Sequence, residues 1–291
     1  MHIAFATQDD TGALWEMWKI CFGDDDSYIN AYFKNVYRPE NTLIAWENDV
    51  RLGSLQMLPH TFYIDGTAHR SMYIGGVCVL PAYRKRGIAS ELMHFAETHM
   101  ISRGIELSFL VPFSFSFYEK LGYRAISFLS EFSGPTSALT PYVMQDVSPV
   151  ETKIPPTLAY SQFAARFPVF LGRDEERFEK EIFPLSESAK CYALPHDAGY
   201  ILCASRGEIL DVLEIAYKDE AALSRLLGFI HAQKDKHVSF RIRAAADGTL
   251  RKFLCENTIT EKRFPHGMIK TFIPLSLPCS FENYINMLGW F

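Results

Sequence analysis

Residues 77 to 89 read Val77-Cys78-Val79-Leu80-Pro81-Ala82-Tyr83-Arg84-Lys85-Arg86-Gly87-Ile88-Ala89, and this stretch restricts the fold more than any other. An apolar strand stops at a proline turn, and a basic, glycine-bearing segment then opens a helix. The first helical turn leaves backbone N–H groups without intrahelical acceptors, and the positive end of the helix dipole stands behind them. Such an end attracts phosphate, and pyrophosphate in particular. Gly87 lets a ligand approach the backbone closely, while Arg84, Lys85 and Arg86 add mobile positive charge. Two other phosphate signatures are excluded: no Gly-x-x-x-x-Gly-Lys-Ser/Thr occurs, and Gly75-Gly76 does not open a helix.

A second motif, Phe117-Tyr118-Glu119-Lys120-Leu121-Gly122-Tyr123, follows downstream. With the spacing Arg84-x-x-Gly87-x-Ala89 after an apolar strand, it resembles the GCN5-related N-acetyltransferase (GNAT) superfamily. The resemblance is firm over residues 71 to 123 and implies an α/β (α+β) fold, a mixed and mostly antiparallel sheet flanked by helices.

Composition bounds the alternatives. The 291 residues suit roughly two ordinary domains, and 48% apolar content supports real cores. A net charge of -5 gives no global basic field, which argues against nucleic acid or an anionic membrane as partner. Six cysteines (Cys21, Cys78, Cys191, Cys203, Cys255, Cys279) are scattered without a Cys-x-x-Cys pair and read as reduced thiols. No membrane span or secretory leader is apparent, so a cytoplasmic location is expected. His94 and His99 share no metal-binding face of their helix, His231 reads as compensation of a helix dipole, and no metal is expected. The absence of a Gly-x-Ser-x-Gly elbow removes the serine-hydrolase reading.

Along the chain, a short strand at 3–7 precedes a helix capped by Asp9 or Asp10, with Leu14, Met17, Trp18 and Cys21 as its apolar stripe. A second helix is expected near 28–37, then strands at 42–47, 51–64 and 71–80, with Asp65-Gly66 as a hairpin turn. Ile88, Leu92, Phe95, Ala96 and Met100 mark one face of the next helix, followed by a strand at 105–111, a short helix through Tyr118 and a strand at 123–131. Residues 1–133 therefore form the expected first domain, and the Pro-, Ser- and Thr-rich stretch 134–156 a linker. Within 157–291, strands at 190–194, 199–205 and 209–217, a helix capped by Asp219 and a strand at 238–243 repeat the order of the first half. The chain is expected to hold two tandem copies of one fold. The second helix opens Lys218-Asp219-Glu220-Ala221, where carboxylates compete for the backbone donors and repel a pyrophosphate. That copy reads as degenerate. One active and one degenerate copy resemble the enhanced-intracellular-survival (Eis-like) branch, whose sterol-carrier-like third domain this length is not expected to hold.

The resemblance implies an N-acetyltransferase that moves the acetyl group of acetyl-CoA directly to an amine of a small molecule or peptide. The alternative is a non-catalytic acyl-CoA sensor or scaffold. In the family, the strand matching Val77, Cys78 and Val79 pairs by its backbone with the pantetheine arm. Pyrophosphate falls on Lys85, Arg86, Gly87, Ile88, Ala89 and Ser90, with Arg84 beside it, and Phe113 and Ser114 flank the thiol arm. The bland readings are core for Val77 and Val79 and a helix cap for Ser114. Tyr118 is the candidate acid for the leaving thiolate, since a phenol of pKa near 10 stays protonated at neutral pH; its other reading is a packed aromatic. For the base, the sequence leaves open the terminal carboxylate of Phe291, one of Asp24, Asp25 and Asp26, or water. Asp24 to Asp26 read either as an attractor of a cationic amine or as a solvated helix cap. Neither the acceptor nor the oligomeric state is fixed by the sequence.

Overall fold

The computed structural model describes residues 1–142, 148–182, 189–245, 248–254 and 258–277. The described residues divide into two compact units, the first formed by Met1–Phe62, Ala68–Ala125 and Gly267–Leu277 and the second drawn from Tyr63–Thr67 and Ile126–His266.

The first unit holds β1 (His2–Phe5), α1 (Thr11–Phe22), α2 (Asp26–Asn35), β2 (Thr42–Glu47), most of β3 (Val50–Ile64) and of β4 (Thr67–Val79), α3 (Ile88–Ser102), β5 (Leu107–Leu110) and α4 (Phe115–Lys120). Strands β1 to β3 pair antiparallel in sequence order. The β3–β4 turn places Asp65 at φ 46° and Gly66 at φ 77°, the two left-handed residues that a tight hairpin needs and that Asp-Gly supplies. Strand β4 pairs parallel with β5 over Ser71–Tyr73 only. Its continuation to Val79 therefore extends past that ladder.

Helix α3 buries Ile88, Leu92, Met93, Ala96 and Met100 against Leu43, Ala45, Leu52, Leu55 and Ile74 of the sheet. Phe95, expected on that face, is 39% exposed and lies edge-on to Phe5. It falls just past the edge of the stripe, and Met93 takes the opposite edge. Helix α1 buries Leu14, Met17 and Trp18 as its periodicity predicts, while Cys21 is half-buried. Its start is organised by Thr7, whose amide and hydroxyl donate to Asp10 at 2.8 and 2.9 Å; Arg51 donates to the same carboxylate at 2.6 Å.

The second unit contains most of β6 (Arg124–Pro135), then β7 (Val150–Thr152), α5 (Thr157–Ala164), β8 (Val169–Leu171), β9 (Lys190–Ala193), β10 (Gly199–Arg206), β11 (Ile209–Tyr217), a helix over Glu220–Ala232, β12 (Ser239–Ala245), a helix over Gly248–Leu254 and the start of β13 (Thr260–Thr271). Its strands run in the order β6-β12-β11-β10-β9-β7. Only β11 and β12 in that series pair parallel, the others for which a register is defined being antiparallel. Leu223, Leu226, Leu227 and Ile230 of the Glu220–Ala232 helix are fully buried in the core. Ion pairs also sit inside: Arg173 donates to Glu214 at 2.9 and 3.1 Å with side chains only 3% and 0% exposed.

Two expectations about organisation are corrected. The division does not fall at residue 133, because β6 enters the second unit at Ile126 and Gly267–Leu277 returns to the first, where Met268–Thr271 pairs antiparallel with β5. The stretch 134–156 is not a plain linker: Thr136 bonds the backbone of His237 and Val238, Leu139 is fully buried and β7 pairs with β9. Pro, Ser and Thr content signals irregular backbone but is silent on whether that backbone is packed. His231, read as a dipole partner, is buried with Nδ1 3.2 Å from the Thr136 carbonyl oxygen. The aromatic terminus Met287–Phe291, and with it Phe291, lies outside the described residues. Among the described residues no helix is long and apolar enough to cross a membrane.

Candidate active site

Where β4 outruns β5, a cleft of about 640 Å³ opens, lined by Val77, Cys78 and Val79 from the strand end and by Gly87, Ile88, Ala89 and Ser90 from the start of α3. Tyr83, Arg84 and Lys85 come from the connecting loop, Cys21 and Phe22 from the end of α1, and Phe113 and Phe117 from the segment after β5. The proline at 81 starts a single 3₁₀ turn, closed by the Tyr83 amide on the Leu80 carbonyl at 2.9 Å. That turn redirects the chain from strand to helix.

Gly87 is the helix N-cap with φ 81°, a conformation that L side chains adopt at a cost, and it supplies no capping side chain. A Cβ built there meets nothing within 4 Å. The glycine therefore keeps open space over the amides of the first turn, instead of relieving a clash inside the fold. Lys85, at φ 63°, is also left-handed and completes the sharp loop. The helix keeps its first amides for an external acceptor because Glu91 is the first residue to close back, onto the Gly87 carbonyl at 3.1 Å.

The three basic residues separate. Arg84 and Lys85 line the cleft, and Arg84 Nε donates to the Val79 carbonyl at 3.1 Å. Arg86 is not among the lining residues; its Nη2 donates to both oxygens of Glu47 at 2.8 and 2.9 Å, which holds that carboxyl below its ordinary range. Phe113 is 71% exposed at the rim. Ser114 is the N-cap residue of α4, its hydroxyl 3.3 Å from that of Ser116, and it does not line the cleft. Cys21, Phe22, Tyr83 and Phe117 line it without having been expected there. Tyr83 and Phe117 lie inside the two motifs, whereas nothing local in α1 points to Cys21 or Phe22.

Tyr118 is 2% exposed and stands one layer behind the cleft wall, its ring 5.4 Å from Phe113 and 4.9 Å from Phe117. Burial pushes its phenol well above the ordinary value. Of the acidic run, Asp24 accepts from Trp18 Nε1 at 2.7 Å and Asp26 from Lys19 at 2.6 Å, while Asp25 is the N-cap residue of α2. Trp18 packs on Tyr32 at 4.4 Å and on Phe22 at 4.8 Å, so α1 and α2 present an aromatic cluster with one carboxylate fixed on its indole.

The β4–β5 ladder thus ends at Tyr73 and leaves the strand end beside an uncapped, glycine-led helix N-terminus. Residues 2–126 match the family model described as an acetyltransferase (GNAT) domain. Solved structures extend the likeness over the whole fold. A GCN5-related N-acetyltransferase from Anabaena variabilis is 18% identical with a TM-score of 0.82, over 93% of this chain and 72% of that one. One from Kribbella flavida is 16% identical with a TM-score of 0.78, over 93% and 70%. Eis1 from Mycobacterium abscessus is 14% identical with a TM-score of 0.71, over 93% and 74%. No curated protein matches the sequence.

Proposed function

We propose that the first unit binds acetyl-CoA in this cleft and transfers the acetyl group to an amine. The observation that carries the reading is the placement of the β4 end at Val77–Val79, past the Ser71–Tyr73 ladder, in one cleft with the open N-terminus of α3 at Gly87–Ser90. An extended pantetheine arm pairs with a strand edge, and a pyrophosphate accepts from helix-end amides. Arg84 and Lys85 add charge at the mouth. Acetyl-CoA supplies an activated acyl group and a thiolate leaving group.

The chain's own residues then have three tasks. Val77, Cys78 and Val79 orient the arm through their backbone. Phe113 and Phe117 cover the thiol end and exclude water. Tyr118, one ring behind them and kept protonated by its burial, is the proposed acid for the departing sulfur. The candidates for the base that deprotonates the amine are the Phe291 carboxylate, a carboxylate among Asp24, Asp25 and Asp26, and water. The second unit is proposed as a degenerate copy: Asp219 stands at the N-terminus of its helix and accepts from the Ala222 amide at 2.9 Å, so one first-turn donor is already taken and a carboxylate faces any incoming anion.

The test is a calorimetric titration of the full chain with acetyl-CoA, with Gly87→Glu as control. One-site binding that the variant loses, together with an unchanged circular-dichroism spectrum, is expected. No heat at millimolar acetyl-CoA would overturn the reading. Thiol release over a panel of amines then separates a transferase from a sensor, which binds but releases no CoA above background.

A further inference from the structure

Two thiols meet in the wall of the cleft. Cys21 is the penultimate residue of α1 and is half-buried, whereas Cys78 lies in β4 and is 6% exposed. Both line the same cavity, and each shifts the titration of the other. Cys78 Sγ also lies 3.3 Å from Ser54 Oγ, and Arg84 lines the same cavity as the two thiols. One accessible thiol beside a cation, backed by one buried thiol, is the arrangement that redox-responsive cysteines use.

The two thiols differ in character. Cys78, aided by Arg84 and opposed by burial, lowers the Cys21 thiol to about 7. Cys78 is held well above its ordinary value by Cys21 and by burial. Cys191 and Cys203, in the second unit, are each pushed up to about 12 by burial. They remain protonated at neutral pH and serve as internal controls.

We propose that Cys21 and Cys78 form a reversible oxidation site for peroxide, in which Cys21 is oxidised first and Cys78 closes the disulfide inside the cleft. The Cys21 thiolate attacks one oxygen of hydrogen peroxide; the O–O bond breaks, hydroxide leaves, and the sulfur becomes a sulfenic acid. Cys78 sulfur then attacks Cys21 sulfur, the S–O bond breaks, and the Cys78 proton leaves with the hydroxyl as water. Two electrons pass from the thiol pair to peroxide, and a dithiol returns them. The bond draws the end of α1 onto β4 beside Val77 and Val79. Its effect on acetyl-CoA rests on the function proposed above; its formation does not.

The experiment treats the full-length, reduced protein with hydrogen peroxide, alkylates remaining thiols after denaturation and maps peptides without reduction. A Cys21–Cys78 linked peptide that dithiothreitol removes, with Cys191 and Cys203 alkylated, is expected. Cys78→Ser is expected to leave Cys21 as a sulfenic acid that dimedone captures. Recovery of both cysteines as alkylated thiols, or of oxidised Cys21 with Cys78 free, overturns the proposal. Oxidised wild type is then titrated with acetyl-CoA, with affinity expected to fall by about tenfold or more, a factor of ten being the smallest shift read as occlusion. A linked peptide with unchanged affinity overturns occlusion alone. Reduced protein that binds no acetyl-CoA defeats the functional reading and leaves the thiol site standing.

Discussion

The Tyr123 amide donates to the Tyr118 carbonyl at 3.0 Å, and the two rings meet edge to face with centroids 5.9 Å apart. With Gly122 at φ 88° and its amide on the Glu119 carbonyl at 3.0 Å, this is a Schellman end for α4. Lys270 Nζ donates to the next open carbonyl, that of Leu121, at 2.8 Å. The Phe117–Tyr123 motif is therefore first a helix stop that fixes where Tyr118 and Phe117 point.

Gly122→Ala is expected to cost about 1–2 kcal/mol from the left-handed backbone alone. The new Cβ also meets Lys270 at 3.3 Å. Urea unfolding reads this as a lower midpoint with an unchanged slope; an unchanged midpoint would mean that the turn contributes nothing to stability.

Tyr118→Phe and Tyr123→Phe should separate chemistry from packing. The first is expected to keep acetyl-CoA affinity and lower turnover by about 10²–10⁴, the range of a lost general acid. The second breaks the 2.6 Å bond between the Tyr123 and Ser108 hydroxyls and should cost about 1 kcal/mol of stability without that selective loss of turnover. Full activity in Tyr118→Phe would remove its proposed role.

Glu214→Gln removes the carboxylate charge that the buried Arg173 guanidinium pairs with and is expected to destabilise by about 3–5 kcal/mol. Tyr200 loses the carboxylate that accepts its hydroxyl at 2.6 Å. Differential scanning calorimetry checks the drop. Arg173→Met with Glu214→Leu should recover part of it, because neither charge of the pair then remains.

His266 is 4% exposed, and burial lowers its ring to about 4 from an ordinary 6.5. The unfolded chain binds this proton first, so its contribution falls as pH drops from about 6.5 to about 4 and flattens below, a loss of roughly 3 kcal/mol. The difference between the stability curves of wild type and His266→Phe should carry that slope; parallel curves across this window would contradict it.

Short-range chemistry was enough for much of the machinery. A proline, a glycine that accepts positive φ and an apolar run place the strand, loop and helix start of Val77–Ser90, and Asp219 caps its helix as its type requires. These outcomes depend on sterics and hydrogen bonds among near neighbours in sequence, which residue type encodes directly. Partner choice at long range is different. Arg86 turns to Glu47, Tyr118 withdraws behind Phe113, Cys21 arrives beside Cys78, and Gly267–Thr271 returns to the first unit to pair with β5. Sheet register and packing bring those groups together, and no local pattern records which of several cations, tyrosines or thiols they select.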